Sequence, residues 1–166
     1  MEIAYTTSDS LLGRLLVAST RKGLCMVSIG KSDTELEKRL RSYFPTATAN
    51  RDDRGMARLA RTVERRIAGK DLSEKLPLDL QGTPFQIEVW KEMLRIPAGS
   101  TRSYAEVARN IGRPKAFRAV AQACGANPVP VIVPCHRVVA SGGKLGGYTG
   151  GIDRKIALLA NEGVRL

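Results

Sequence analysis

The hydrophobic pattern of the chain changes near residue 81, and this change restricts the possible folds more than any other feature. Three short apolar runs, over residues 3–7, 14–19 and 24–29, are separated by the turn-like segments DSLLG and TRKG. Such runs predict a β-meander. Beyond residue 84 the apolar side chains recur at helical spacing instead. We therefore expect two domains, an N-terminal α/β support domain over residues 1–80 and a mainly α-helical domain over residues 81–166.

Two helices are expected to follow the meander in the first domain. One covers residues 34–44 and is stopped by Pro45, and the other covers residues 56–68 and is stopped by Gly69. The segment LPLDLQG is interpreted as a last strand before a linker. The predicted fold of this half is a short antiparallel sheet with helices. Its exposed helix faces are rich in arginine and glutamate and suggest no chemistry.

Two short helices joined by a glycine-containing turn are predicted in the second domain. Ser103 and Glu106 have the spacing of a capping box at the start of the first helix, and Gly112 closes it. The second helix covers about residues 116–125. The arrangement is typical of a helix-turn-helix, although many other helix pairs share it. One face of the second helix carries Phe117, Arg118, Ala121, Gln122 and Gly125. Its small residues, Ala121 and Gly125, permit close approach to another surface, and the arginine on the same face favours DNA as that surface.

The charge balance favours a polyanionic partner. The formal net charge is +11, and residues 81–166 hold 12 Lys and Arg against 5 Asp and Glu. Such a surplus attracts nucleic acid, whereas a solubilising surface is the simpler alternative. No apolar run approaches the length of a membrane span, and the N-terminus lacks the pattern of a secretion signal.

Three widely spaced cysteines, Cys25, Cys124 and Cys135, argue against a disulfide framework and for a reducing, cytoplasmic location. With one histidine and no C-x-x-C pair, neither a zinc site nor another cofactor is expected. The glycine-rich segment SGGKLGGYTGG lacks the spacing of a phosphate-binding loop. We expect it to shape a pocket through Tyr148 and Thr149.

The segment VIVPCHRVV places the chain's one histidine, His136, directly after Cys135. The thiolate is the nucleophilic form of cysteine, and its ordinary pKa of about 8.5 means that a base or a positive charge must activate it at neutral pH. His136 can serve as the base, and Arg137 adds positive potential. Because neighbouring side chains on an extended strand point to opposite faces, contact requires a bend or a bridging water. A buried structural pair is the alternative.

A histidine base needs a group that holds its other ring nitrogen, usually a carboxylate. We expect Asp153 to be the N-cap of the last helix. That helix should pack through Ile152, Ile156 and Leu159. Glu162 lies one turn beyond Leu159, close to that inward face. Glu162 is therefore the better candidate.

The second half of the chain closely resembles the O6-alkylguanine-DNA alkyltransferases, the family of methylated-DNA–protein-cysteine methyltransferases. The matching stretches are TPFQIEVW, IPAGSTRSYAEVA, RPKAFRAVAQACGANPVPVIVPCHRVV and GGYTGG…NEG. They cover nearly all of residues 83–163 in the family's order and spacing. The first half matches the family only in its general order of strands and helices. For this half the resemblance implies a ribonuclease H-like fold. Some members carry a zinc site there, and this chain lacks the histidines for one.

The resemblance implies that Cys135 accepts an alkyl group, irreversibly and once per molecule, from the O6 atom of a guanine flipped out of duplex DNA. O4-alkylthymine is a further implied substrate. A network from Glu162 through His136 and a water would activate the thiol, Tyr104 would assist the departing guanine, and Asn127 would hold the active-site turn. The implied pocket residues are Tyr104, Val138, Tyr148 and Thr149. The residues implied to contact DNA are Arg118, Ala119, Ala121, Gln122, Gly125 and Arg137.

By the same resemblance, the second helix enters the minor groove, and Arg118 replaces the extruded nucleotide in the stack. The protein is expected to act as a monomer, with cooperative binding along DNA as an additional possibility. Two other functions stay open from the residues alone. One is a cysteine hydrolase that uses Cys135, His136 and Glu162, and the other is a DNA-binding module without catalysis.

Overall fold

The computed structural model describes residues 1–165 and divides the chain into two compact units, Met1–Leu80 and Gln81–Leu166. We call these the N-terminal and the C-terminal unit. Within the described residues, no helix is long and apolar enough to cross a membrane.

A four-stranded sheet forms the centre of the N-terminal unit. Its strands are β1 (Glu2–Ser10), β2 (Gly13–Ser19), β3 (Leu24–Gly30) and β4 (Thr48–Arg51), in the spatial order β3-β2-β1-β4. The first three strands pair antiparallel, as the meander prediction requires, and β4 pairs parallel with β1. Every residue of β3 is buried, so its period-two alternation is hidden in the sequence.

Two helices pack on this sheet, α1 (Asp33–Tyr43) and α2 (Asp53–Ile67). Leu36 and Leu40 of α1 share a core with Leu16 and Ala18 of β2. Since successive side chains of a strand alternate, the intervening Leu15 and Val17 face the other way, and both are fully buried. Helix α2 packs on β1 and β2. Both helices begin at side-chain caps, Ser32 and Asp52, which accept hydrogen bonds from backbone N–H groups three residues later.

Two sequence predictions for this unit are wrong. The sheet is mixed rather than purely antiparallel, because β4 was not predicted; its sequence TANR has no apolar alternation and its residues are largely exposed. The predicted last strand in LPLDLQG is absent from the described sheet. Leu78 makes one isolated bridge with Leu24, and Thr20 donates a hydrogen bond to Asp79. The segment is therefore extended chain held beside β3.

The C-terminal unit is mainly helical. It contains α3 (Pro84–Met93), α4 (Tyr104–Asn110), α5 (Phe117–Gly125) and α6 (Ile152–Asn161), with the short strands β5 (Arg102–Ser103) and β6 (Val138–Val139) paired in parallel. Capping boxes start α3, at Thr83 and Gln86, and α4, at Ser103 and Glu106. The second of these confirms the sequence prediction. Buried Trp90 joins α3 to α5, because its indole N–H donates to the carbonyl of Ala123 at 2.8 Å.

The orientation of α6 differs from the prediction. Gly151 precedes the helix as its N-cap, so Asp153 lies within the first turn instead. Ile152 and Ile156 are each 40% exposed, and the buried face is formed by Lys155, Leu158 and Leu159. Lys155 was not among the residues expected to pack inward, and fully buried lysines are rare.

Candidate active site

Cys135 begins a short 3₁₀ turn, Cys135–Arg137, rather than lying on an extended strand. The N–H of Arg137 donates to the carbonyl of Pro134 at 2.9 Å, which closes the turn. A turn of this kind supplies the bend that the extended conformation lacked. The three residues are all buried, and Cys135 is 7% exposed.

Asn127 fastens the loop that leads to this turn. Its side-chain amide donates to the carbonyl of Val133 at 2.8 Å and its oxygen accepts from the N–H of Val129 at 2.9 Å. Between these two bonds Val131 has a φ of 76° and is buried. A positive φ is a true outlier for a β-branched residue, so the flanking hydrogen bonds hold strained backbone directly before the thiol.

His136, Arg137 and Glu162 form a buried charged cluster behind the cysteine. Imidazole Nε2 of His136 lies 2.9 Å from Oε2 of Glu162. The guanidinium of Arg137 donates to both carboxylate oxygens at 2.7 Å, and its remaining nitrogen donates to the carbonyl of Ile96 at 2.7 Å. The Glu162 side chain is 3% exposed, so the carboxylate is held from two sides out of water.

The protonation states of this cluster follow from burial and pairing. Burial alone would raise the pKa of Glu162, but the hydrogen bonds from Arg137 and His136 outweigh it and lower the pKa to about 2. Burial lowers the pKa of His136, which is fully buried, although Glu162 partly opposes this. His136 is therefore neutral at pH 7. If Nε2 carries the proton that it donates to Glu162, then Nδ1 is left as an unprotonated acceptor.

Nδ1 of His136 is a buried polar atom without a hydrogen-bond partner within residues 1–165. A buried imidazole nitrogen without a hydrogen-bond partner lowers the stability of the fold by about 1–3 kcal/mol. It has the lone pair that a general base needs. Nδ1 can therefore act as a base. Its imidazole belongs to the residue that follows Cys135, and Glu162 fixes the ring through the other nitrogen, Nε2.

A pocket of about 380 Å³ opens above Cys135. Helix α5 forms one wall with Ala121, Cys124 and Gly125. The loop after Lys144 forms another wall with Gly147, Tyr148 and Thr149, and Tyr104 completes the lining. The hydroxyl of Thr149 donates to the carbonyl of Gly125 at 2.8 Å, which joins the two walls.

Tyr104 and Tyr148 place two phenolic hydroxyl groups in this pocket. Burial raises the pKa of both, so both remain protonated donors at neutral pH. Tyr148 lines the same pocket as Cys135. Gly146 lies against Tyr104: its φ is +73°, and an added Cβ would meet the Tyr104 hydroxyl at 2.8 Å. A side chain at position 146 would therefore displace Tyr104.

Lys155 is a buried residue of the site that the sequence analysis missed. Its ammonium group is fully buried and donates to the carbonyl oxygens of Val138 at 2.7 Å, Leu145 at 2.6 Å and Gly147 at 3.1 Å. These bonds tie the pocket loop to the strand that follows the cysteine. Its helical position, one turn before Leu159, is the signal that could have placed it on the inward face.

The resting thiol of Cys135 is protonated. Burial raises its pKa, and this outweighs the opposing effects of the hydrogen bond from Asn127, the positive charge of Lys155 and the hydrogen bond from Tyr148. Burial also raises the pKa of Cys124, to about 12. Neither thiol is a free thiolate at pH 7, so the reaction of Cys135 must include the removal of its proton.

The residues predicted to contact DNA divide into two groups. Arg118, Gln122 and Gly125 are exposed on α5, and Ala119 and Ala121 are half-buried on it. The Arg118 guanidinium lies 5.9 Å from the ring centroid of exposed Phe117. Arg137 requires a correction, because its guanidinium is buried and its donors are used by Glu162 and Ile96.

Val138 also requires a correction. It was predicted to line the substrate pocket, but its side chain is fully buried and does not belong to the lining described above. Val138 contacts the site through its backbone carbonyl, which accepts a hydrogen bond from Lys155. The other predicted pocket residues, Tyr104, Tyr148 and Thr149, do line the cavity.

Comparison with known domain families covers nearly the whole chain. The ribonuclease-like domain of 6-O-methylguanine DNA methyltransferase matches residues 3–80, and the DNA binding domain of 6-O-methylguanine DNA methyltransferase matches residues 84–164. A methylated-DNA–protein-cysteine methyltransferase of Mycobacterium tuberculosis is 44% identical over 161 residues, which is 96% of this chain and 92% of that protein. A regulatory protein ada of Salmonella typhimurium is 43% identical over 98% of this chain. The chain spans only 46% of that relative's length.

The fold agrees with that of solved structures as well. The crystal structure of Mycobacterium tuberculosis OGT in complex with DNA superposes with a TM-score of 0.78 and 39% identity, and covers 98% of this chain and 92% of that one. Both the sequence and the two-domain architecture therefore match one family along the full described length. The chain belongs to the 6-O-methylguanine DNA methyltransferase family.

Proposed function

We propose that this protein repairs O6-alkylguanine in duplex DNA by transferring the alkyl group irreversibly to Cys135. One observation supports the proposal above all others. A buried thiol forms part of a cavity with hydrogen-bond donors around it, and behind it a neutral imidazole is fixed by an ionised carboxylate. Relatives that align with 96% and 88% of this chain carry the name of this activity.

The chemical step follows from these groups. The Cys135 proton passes to Nδ1 of His136, directly or through a water, and Glu162 stabilises the imidazolium that forms. The sulfur then attacks the alkyl carbon; the new S–C bond forms as the C–O6 bond breaks, and the electron pair leaves on the guanine. Tyr104 donates a hydrogen bond or proton to the guanine anion. The product is a thioether, which water cannot readily displace, so each molecule acts once.

Access to the O6 atom requires base flipping, at a cost of a few kcal/mol. In the proposed complex, α5 lies in the minor groove, where Ala121 and Gly125 permit close approach. Arg118 occupies the space left by the extruded nucleotide. Tyr148 and Thr149 then contact the flipped base. The α4–α5 pair would act as a helix-turn-helix in this unusual groove. O4-alkylthymine would be a further substrate, and the protein would work as a cytoplasmic monomer that binds DNA, with or without cooperativity.

The proposal is tested by stoichiometry. Duplex DNA with a radiolabelled O6-methyl group is incubated with a molar excess of lesions, and label bound to protein is counted. One methyl group per chain with no further turnover is the expected result. Continued turnover that releases the label into solution would instead support a cysteine hydrolase.

Replacement of Arg118 by alanine is expected to lower the transfer rate on duplex DNA by about 10-fold or more, because one good DNA contact contributes about 1–3 kcal/mol. The reaction with the free base O6-methylguanine should stay unchanged, because no nucleotide has to be extruded. Single-turnover kinetics with both substrates measure this. Arg109→Ala is the matched control, since it removes one exposed arginine from α4. Equal losses in the two variants would show a charge effect only.

The transfer rate is expected to stay nearly constant between about pH 7 and pH 9. Burial raises the pKa of Cys135, so the thiol keeps its proton, and burial lowers the pKa of His136, so the base stays neutral; the pair that exchanges the proton is therefore present throughout this range. Below its lowered pKa His136 becomes protonated and the rate should fall. DNA affinity at each pH is measured separately with Cys135→Ala. A rate that decreases from neutral to alkaline pH contradicts the assignment of these two groups.

A further inference from the structure

Helix α2 presents four arginines in one line on its exposed side. Arg54, Arg58, Arg61 and Arg65 follow each other at steps of four, three and four residues, so they lie along one face of the helix. All four residues are exposed. At 1.5 Å per residue the line is about 16 Å long. We call it the basic face of α2.

The charges of this face are mostly not neutralised within the protein. Arg65 pairs with Asp71, whereas Arg54, Arg58 and Arg61 make no ion pair or side-chain hydrogen bond within residues 1–165. Three other arginines of the same unit are paired with carboxylates: Arg14 with Asp33, Arg39 with Glu35, and Arg51 with Asp53. Three arginines on one helix face therefore stay unpaired, although nearby carboxylates form ion pairs with other arginines. A set of aligned, unpaired guanidinium groups favours an anionic partner.

The chemistry of α2 selects between nucleic acid and membrane. A helix that binds a lipid surface must insert an apolar face into it. Met56, Ala60, Val63 and Ile67 of α2 are buried, Leu59 is half-buried, and the helix packs on β1 and β2. Ala57 is its one exposed apolar residue. No apolar face is left for lipid. A phosphate backbone, in contrast, requires only guanidinium groups, which bind phosphate with two parallel hydrogen bonds.

We infer that the basic face of α2 binds the phosphate backbone of duplex DNA, as a second contact surface apart from the pocket and α5. The choice of DNA rests on the proposed function. A duplex carries one negative charge per about 1.7 Å of its axis, so a line about 16 Å long meets several phosphates at once. The contact involves no base edges, and it therefore acts on damaged and undamaged DNA alike. Its effect is to hold the protein on DNA between lesions.

The test is the salt dependence of binding to an undamaged duplex. The variant R54Q/R58Q/R61Q removes the three unpaired arginines, and R21Q/K22Q/K31Q removes the same charge from three exposed turn positions of the same unit. Each lost phosphate contact lowers the slope of log K against log salt by about 0.9. We expect the slope of the α2 variant to fall by about 2 to 3 and its affinity at 0.1 M salt to fall at least about 10-fold. The control should keep the wild-type slope.

Other outcomes overturn the inference. An unchanged slope in the α2 variant, or equal changes in both variants, would show that the face does not bind phosphate specifically. The same holds if the α2 variant loses binding to vesicles rich in phosphatidylserine while DNA binding is retained. Circular dichroism checks that both variants are folded, as expected for exposed positions.

Failure of the basic face to bind DNA can be distinguished from failure of the proposed repair activity. Transfer from the free base O6-methylguanine should be the same in the wild type and in both variants, because no phosphate is present. Failure of the wild type to take up any alkyl group would refute the repair activity and leave the salt slopes interpretable. Normal alkyl transfer with unchanged slopes would refute the basic face alone.

Discussion

Replacement of Cys135 by alanine is expected to abolish alkyl transfer completely while DNA binding is retained. No other group in the pocket can form the S–C bond: burial raises the pKa of the second lining thiol, Cys124, to about 12, and its sulfur faces Met93 at 3.5 Å. The proposed DNA contacts lie on the exposed surface of α5, so loss of a buried sulfur should leave them intact. Single-turnover transfer and fluorescence anisotropy with a lesion duplex measure the two properties.

Cys124→Ala is the matched control for this experiment. It removes a thiol from the same pocket wall, and its transfer rate should stay within a few-fold of the wild type. Residual methylation of the Cys135→Ala variant would place an acceptor elsewhere. If Cys135→Ala instead supported the full repair activity, the protein would be a binding module rather than an alkyl acceptor.

Replacement of Glu162 by glutamine is expected to reduce the transfer rate by about 100-fold or more and to destabilise the fold. The carboxylate fixes Nε2 of His136 and, in the proposed reaction, stabilises the imidazolium that forms; general acid–base assistance of this kind contributes about 10²–10⁴-fold. The same substitution leaves the buried guanidinium of Arg137 without its counter-charge. Loss of one partner from a buried ion pair costs about 3–5 kcal/mol.

The two effects of Glu162→Gln are separable. Urea unfolding at pH 7 gives the loss of stability, and transfer is measured at a temperature where the variant is folded. In the wild type, the pKa of Glu162 is lowered to about 2 from its ordinary value of 4.5, so this stabilisation is present above about pH 4.5 and is lost as the pH falls towards 2. The variant should lack this acid-dependent part. Asp153→Asn, on the exposed start of α6, is the control and should change neither property.

The elements that the sequence predicted well share strong local signals. The capping box at Ser103 and Glu106 requires only two residues at fixed spacing, and the meander requires only apolar runs and turns. The missed strand β4 has no such signal, because its residues are held by backbone pairing with β1 while their side chains stay largely exposed. Tertiary pairing of this kind is not encoded in local periodicity.

The site shows the same division. The chain's one histidine beside a cysteine in VIVPCHRVV identified the candidate nucleophile and base, and the position of Glu162 after the last helix identified its carboxylate. The sequence did not show that Arg137 turns inward to the same carboxylate, and the resemblance implied a DNA contact for this residue instead. It also could not show that Lys155 is buried, since the carbonyl oxygens that accept its hydrogen bonds come from three separate backbone positions. Both errors concern cations that the fold satisfies internally.

The position and number of transferred alkyl groups test the central claim most directly. The protein is incubated with duplex DNA that contains O6-methylguanine, digested, and analysed by mass spectrometry of the peptides that contain Cys25, Cys124 and Cys135. The account predicts a mass gain of one methylene on the Cys135 peptide, in one copy per chain, and none on the other two. A methylated peptide other than that of Cys135, or no mass gain while the lesion disappears from the DNA, would contradict it.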